Sequence, residues 1–156
     1  MKACCVIGHR KIVKSKLLVC EIEQVVKYLI EEEGVNTFLF GSRSQFTDLC
    51  YDLITEIKNR YNNISRIYVR AEYPIISDGY KNYLLRFYED SYYYNDKVIM
   101  GKFNYLKRNE VMINSSEYCL FYFDVNYTIS KQKISGTKKA YEFAVKNNKK
   151  IINVYK

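Results

Sequence analysis

Residues 3–10 read ACCVIGHR, and this stretch sets the expected fold. Its first five residues are small or apolar, which predicts a buried strand, because strands of a parallel sheet are covered on both faces. After the glycine turn comes a helical segment in which Leu18, Ile22, Val25 and Leu29 recur at helical spacing. This order of strand, turn and helix is typical of the first unit of an α/β fold.

The same alternation continues along the chain. Four more short apolar segments predict strands at residues 36–40, 64–71, 118–123 and 151–154. Amphipathic segments between them predict helices. The tyrosine-rich stretch 75–102 lacks a clear period, and the polar segment 125–134 predicts a loop. The pattern predicts an α/β fold, a Rossmann-like, doubly wound, mainly parallel sheet of about five strands with helices on both faces. No linker interrupts it, so we expect residues 1–156 to form a single domain.

Charge and cysteine content narrow the functional classes. A net charge of +8 favours an anionic partner, and scattered lysines favour a nucleotide-like small molecule over a nucleic acid. The five cysteines are odd in number and form no CxxC pair, so we expect no disulfide framework, no metal and no cofactor. The N-terminal apolar run is too short for a signal peptide or a membrane span, so we expect a cytoplasmic protein without membrane contact.

Three turns with glycine and polar residues follow or precede predicted elements at one edge of the sheet. They are Gly8-His9-Arg10, Gly41-Ser42-Arg43-Ser44 and Ser135-Gly136-Thr137. Ligands of open parallel sheets collect at the carboxyl ends of the strands, where helix N-termini attract anions. A Ser-Gly-Thr turn alone also fits an ordinary helix cap. Together, the three turns predict a phosphate-binding crevice.

Arg108 and Asn109 lie near the start of the helix that precedes the fourth strand. From there the guanidinium can reach the same crevice and bind a phosphate with two hydrogen bonds. The alternative is an arginine on a solvated helix turn. We expect Arg43, which leaves a strand end at the mouth of a helix, to be the stronger anion ligand.

Catalytic groups are less well marked than anion ligands. His9 is the single histidine, and it fits a packing or capping role as well as a general base. Three acids follow strand ends or begin the next helix: Asp48, Glu72 and Asp124. A pair of carboxylates on either side of a sugar would suit cleavage of an N-glycosidic bond. The spacing of these acids does not single out such a pair.

Tyrosine is abundant in the middle of the chain, at Tyr80, Tyr83, Tyr88 and Tyr92-Tyr93-Tyr94. These rings could stack against a base or adenine. They also fit a subunit interface, since tyrosine is favoured there for its amphipathic surface. We expect interface and core roles to predominate, and therefore a homo-oligomer.

With these turns placed, the chain resembles the SLOG superfamily, a Rossmann-like group that includes DprA-like proteins, LOG-type phosphoribohydrolases and YpsA-related proteins. The resemblance runs through CCVIGHR at 4–10, FLFGSRSQFTD at 38–48, LKRNEVMINSSEYCLFYFD at 106–124 and SGTKKAYEFAVKNNKKIINVY at 135–155. It is greatest to small YpsA-related members. By this resemblance, the ligand-site positions are Gly8, Gly41, Ser42, Asp48, Arg108, Asn109, Ser135, Gly136 and Thr137.

One departure bears on activity. LOG-type hydrolases have a catalytic glutamate three residues after the threonine of their Gly-Thr pair, whereas this chain has Ala140 there. The nearest acid, Glu142, is two residues further on and is turned by about 200° on a helix. DprA-like proteins also have a more glycine-rich second turn than the one before Asp48.

These observations predict a binding protein, a sensor or sequestering module for a nucleotide or a nucleotide-derived ligand such as an ADP-ribose derivative. An enzyme that cleaves the N-glycosidic bond of a nucleotide is the main alternative. A DprA-like binder of single-stranded nucleic acid is a further one, suggested by the positive charge.

Overall fold

The computed structural model describes residues 1–95, 104–127 and 135–156 of the chain. Strands and helices alternate along it: β1 (Ala3–Gly8), α1 (Lys16–Glu31), β2 (Thr37–Phe40), α2 (Gln45–Lys58), β3 (Ser65–Arg70), α3 (Asp78–Leu84), β4 (Asp90–Tyr93), α4 (Asn104–Asn114), β5 (Tyr118–Tyr122), α5 (Gly136–Lys146) and β6 (Lys150–Asn153).

The strands form one sheet in the order β4-β3-β2-β1-β5-β6, and every neighbouring pair is parallel. Three consecutive strands therefore extend to one side of β1, and the chain then returns to add β5 and β6 on the other side. The expected doubly wound α/β fold is confirmed. The direction of winding reverses between β1 and β5, which is where ligands bind in open sheets of this type.

The sheet has six strands rather than the five expected from the sequence. The additional strand, β4, lies in the tyrosine-rich stretch and pairs with β3 through registers such as Val69 with Tyr92. It is an edge strand with half-buried tyrosines, so it lacks the apolar run that marks the central strands. Helix α3 was also not predicted, and it begins after Ser77, whose hydroxyl accepts the Tyr80 N–H.

Two apolar layers cover the sheet. Alternate residues of β1 point to opposite faces, with Cys4 and Val6 in the layer that contains α1 and α2, and Cys5 and Ile7 in the layer that contains α4 and α5. Both faces of β1 are thus buried, which explains its unbroken apolar sequence.

Two segments lie outside the described residues, 96–103 and 128–134. The polar loop predicted over 125–134 is therefore described only as far as Tyr127, and the weakly periodic stretch only as far as Asn95. Among the described helices, none has the length and apolar character needed to cross a membrane.

Gly8 ends β1 at a point where a side chain has no room. A β-carbon there would lie 2.2 Å from Cδ2 of Phe46, which is fully buried at the start of α2. The aromatic ring fills the space next to the glycine and joins the end of β1 to α2. Internal packing alone therefore requires glycine at this position.

We expect Gly8→Ala to lower the free energy of unfolding by about 1–3 kcal/mol, the usual cost of overpacking a core. Gly79→Ala is the matched control, because the nearest atom to a β-carbon at Gly79 is 4.0 Å away and alanine favours a helix. Urea unfolding of both variants measures the difference. Equal stability of Gly8→Ala and the parent protein would contradict the packing argument.

Candidate functional site

A cleft of about 520 Å³ opens at the carboxyl ends of the central strands. All three predicted glycine turns line it, together with residues of β3 and α4. The lining residues proposed from the sequence are Gly8, His9, Arg10, Gly41, Ser42, Arg43, Glu72, Arg108, Asn109, Ser135, Gly136 and Thr137. The fold thus brings together positions that are up to 129 residues apart in the sequence, from Gly8 to Thr137.

The turn after β2 is held by a reciprocal cap on α2. The Ser44 hydroxyl accepts the Thr47 N–H at 3.1 Å, and the Thr47 hydroxyl accepts the Ser44 N–H at 2.9 Å. The Gln45 N–H donates to the carbonyl of Arg10, which ties this turn to the one after β1. Because these first N–H groups already have partners within the protein, the N-terminus of α2 offers less to an anion than its position in the sequence suggests.

The third turn enters α5 in a similar way. Ser135 caps this helix, and its hydroxyl accepts the N–H of Thr137 at 3.1 Å and that of Lys138 at 3.5 Å. Ser135 is therefore a helix cap, and the three residues of this turn also line the cleft. A β-carbon at Gly136 would meet nothing closer than 4.0 Å, so this glycine leaves open space.

Arg108 is the most unusual group in the cleft. The residue is only 3% exposed, yet its Nη1 is a buried atom with no hydrogen-bond partner. Its Nε and Nη2 lie 3.4 Å and 3.3 Å from Oδ1 of Asn109, which makes these hydrogen bonds long. Within the described residues Arg108 forms no ion pair. Burial lowers the pKa of its guanidinium, and the charge of Glu72 offsets this in part.

The guanidinium occupies space that Gly41 leaves free. A β-carbon at Gly41 would lie 2.7 Å from Nε of Arg108 and 2.6 Å from the sulfur of Met112. On the other side, the ring of Tyr105 lies 5.4 Å from the guanidinium carbon, which is within range for a cation–π contact. The role of Gly41 is therefore to leave room for the guanidinium of Arg108, not to make the backbone flexible.

His9 is buried against the end of β5. Its Nε2 accepts the backbone N–H of Asp124 at 2.8 Å, so the neutral ring carries its proton on Nδ1. That Nδ1 is also buried without a hydrogen-bond partner. The ring of Tyr127 stacks on the imidazole at 3.8 Å. Burial lowers the pKa of His9, which keeps the ring neutral, a donor rather than a cation.

The arginines of the two strand-end turns are more exposed than Arg108. Arg10 is exposed, and the side chain of Arg43 is 70% exposed and bonds through Nε to Oδ1 of Asp48 at 2.9 Å. Arg43 was expected to be the stronger anion ligand. In the structure Arg43 has a carboxylate partner, whereas Arg108 has none among the described residues. Arg108 is therefore the better candidate for an anion ligand.

The three candidate acids occupy different places. Glu72 lines the cleft. Asp48 pairs with Arg43 and lines a neighbouring pocket instead. Asp124 accepts the N–H of Asn126 at 2.9 Å within a turn and does not line the cleft. The structure therefore brings one of the three into the cleft, and it does not place two carboxylates there to face each other.

Sequence reasoning missed three aromatic residues of this region. Tyr105 and Tyr127 line the cleft, and Tyr68 lines both the cleft and the neighbouring pocket. Tyr105 was open to inference, because it precedes Arg108 by three residues and so shares its helix face. The sequence does not indicate that Tyr68 or Tyr127 lines a site, because a single tyrosine in a strand or a loop belongs to no recognisable motif.

Metal ligands are not grouped in the described part of the chain, where no set of three or more histidine, cysteine or acidic residues lies close enough to hold an ion.

No protein-family model matches the chain, and no curated protein matches it either. The SLOG resemblance accordingly stays a prediction that rests on the quoted motifs.

We expect Arg108→Met to raise the free energy of unfolding by about 1–3 kcal/mol, because it removes a buried cation that has no ion pair among the described residues and keeps a similar volume. Arg66→Met is the control, since Arg66 pairs with Glu89 at 3.1 Å and donates to Thr55 at 2.7 Å. That control should lose stability. Urea unfolding compares them, and a destabilised Arg108→Met protein would show that the guanidinium is structurally satisfied.

We expect the free energy of unfolding to fall as the pH falls below 6.5, the ordinary pKa of His9. In the unfolded chain this histidine takes up a proton near that pH, whereas the buried ring resists it, so the unfolded state binds more protons. Well above pH 6.5 the histidine is neutral in both states, so it causes no loss of stability there. His9→Gln should flatten the profile between about pH 7 and pH 5.5, measured by urea unfolding. An unchanged slope in His9→Gln would assign the dependence to other groups.

Proposed function

We propose that the chain binds a phosphate-bearing, nucleotide-like ligand in the cleft, as a sensor or sequestering protein. The ligand class is a nucleotide or a derivative such as ADP-ribose. One observation carries the proposal: Arg108 lines the cleft as a buried guanidinium with no carboxylate partner among the described residues. An unpaired buried cation is costly, and an anion that binds next to it would remove that cost.

The charge of the lining supports an anion. In the described part of the chain, three arginines and a single carboxylate line the cleft, Arg10, Arg43 and Arg108 against Glu72. Neutral His9 adds a ring whose Nδ1–H bonds to no described residue. The volume of about 520 Å³ is within the usual range of small-molecule sites, about 300–1,000 Å³.

Binding is favoured over hydrolysis because Glu72 is the single acid that lines the cleft among the described residues. Glycosidic cleavage of the usual kind uses two carboxylates, one on each side of the bond. Glu72 is the one carboxylate in the lining, and Ala140, which stands at the position of the LOG-type glutamate, is 3% exposed. A hydrolase that uses Glu72 is the second candidate function, since that acid and the buried arginine share the cleft.

We expect inorganic pyrophosphate and ADP-ribose to raise the melting temperature of the parent protein, since ligands that bind only the folded state stabilise it. Arg108→Met should abolish this rise. Arg60→Met is the control, because Arg60 is exposed and does not line the cleft, and it should keep the rise. A panel of nucleotides without any thermal shift, and no nucleotide released from the denatured protein in mass spectrometry, would refute the proposal.

The two alternatives give different results with the same protein. A hydrolase would release free base from nucleoside monophosphates, and Glu72→Gln would stop that release. A nucleic-acid binder would bind single-stranded DNA with an affinity that falls steeply with salt.

The homo-oligomer expected from the tyrosine content stays a prediction. Light scattering of the same preparation measures the oligomeric state.

A further inference from the structure

A second pocket of about 410 Å³ adjoins the cleft. It lies between α2, β3 and α3, and five tyrosines line it: Tyr51, Tyr68, Tyr80, Tyr83 and Tyr88. We call it the tyrosine pocket. Arg43 and Tyr68 line both this pocket and the cleft, so the two spaces are neighbours with a shared wall.

Tyrosines come from both sides of the tyrosine pocket. On the side of α2 and β3, the ring of Tyr88 packs against Tyr51 and Tyr68, each with centroids 5.3 Å apart. On the side of α3, Tyr80 and Tyr83 stack with their rings 19° from parallel. Aromatic walls of this kind suit a flat ring, because stacking depends on the face of the ring rather than on its substituents.

Several polar groups line the pocket. The side chains of Tyr68 and Tyr88 are buried, and neither hydroxyl bonds to another described residue. Two carboxylates also line it: Asp48, whose Oδ1 accepts the Nε–H of Arg43, and Asp52, which forms no ion pair with a described residue. Carboxylates only accept hydrogen bonds when ionised, so they favour a ring that presents N–H groups.

We propose that the tyrosine pocket binds the heteroaromatic ring of the ligand whose phosphate lies in the cleft, and that this ring carries an amino group, as adenine and cytosine do. This rests on the proposed function of the cleft. It extends that function by giving the ring its own binding site, by assigning stacking to Tyr80 and Tyr83, and by assigning recognition of the amino edge to Asp52, which forms no ion pair with a described residue.

The test compares ligands that differ in one part, by isothermal titration calorimetry. Ribose 5-phosphate carries the sugar and phosphate alone, AMP adds a base with an amino group, and IMP has a keto group in its place. We expect AMP to bind about five- to a hundredfold more tightly than ribose 5-phosphate, the range that stacking of one base provides. We expect IMP to bind more weakly than AMP.

Tyr83→Ala should remove most of the advantage of AMP and leave the affinity for ribose 5-phosphate unchanged. Tyr28→Ala is the matched control, since Tyr83 and Tyr28 are 48% and 47% exposed, and Tyr28 lies on α1 away from both pockets. Asp52→Asn should bring the affinities for AMP and IMP closer together. Thermal unfolding verifies that each variant is folded.

The outcomes separate the two proposals. If ribose 5-phosphate and pyrophosphate bind but AMP binds no more tightly, the tyrosine pocket is not the ring site, and the cleft remains an anion site. If the advantage of AMP persists in Tyr83→Ala and in Tyr80→Ala, the ring binds elsewhere, and this inference is overturned. If none of the compounds binds, the proposed function itself fails.

Discussion

The ends of the two central strands are closed to a β-carbon, and the rest of the site depends on this constraint. The ring of Phe46 fills the position that a β-carbon would take at Gly8. At Gly41 the side chains of Arg108 and Met112 fill it. The first contact holds α2 against β1. The second holds α4 against the turn after β2, with a cation at the point of contact. Packing of the core and placement of the charged group are thus consequences of the same steric limit.

Polar groups of the cleft differ in whether the protein provides them with partners. Backbone N–H groups at the start of α2 and α5 bond to Ser44, Thr47 and Ser135. Two deeper atoms, Nη1 of Arg108 and Nδ1 of His9, have no partner among the described residues. Buried polar groups are normally bonded, and exceptions need an explanation. Here both exceptions line the same cleft, and a ligand oxygen would satisfy either of them.

The two pockets differ in the groups that line them. Arg10 and Arg108 line the cleft but not the tyrosine pocket, whereas the tyrosine pocket is lined by five tyrosines and two carboxylates. Arg43 and Asp48 form an ion pair where the two spaces meet. A molecule with an anionic end and a flat, donor-bearing end matches this distribution of charge.

The sequence by itself determined the α/β class, the central strands and the three polar turns, because apolar runs and glycine turns are local signals that need no knowledge of neighbours. It did not reveal β4 or α3, since half-buried tyrosines at a sheet edge follow no apolar period. Only the tertiary structure decided which charges have partners. The sequence ranked Arg43 above Arg108, and the fold gives Arg43 the carboxylate of Asp48 while it buries Arg108 beside Gly41. Pairing and burial are properties of contacts between distant segments, so no pattern along the chain specifies them.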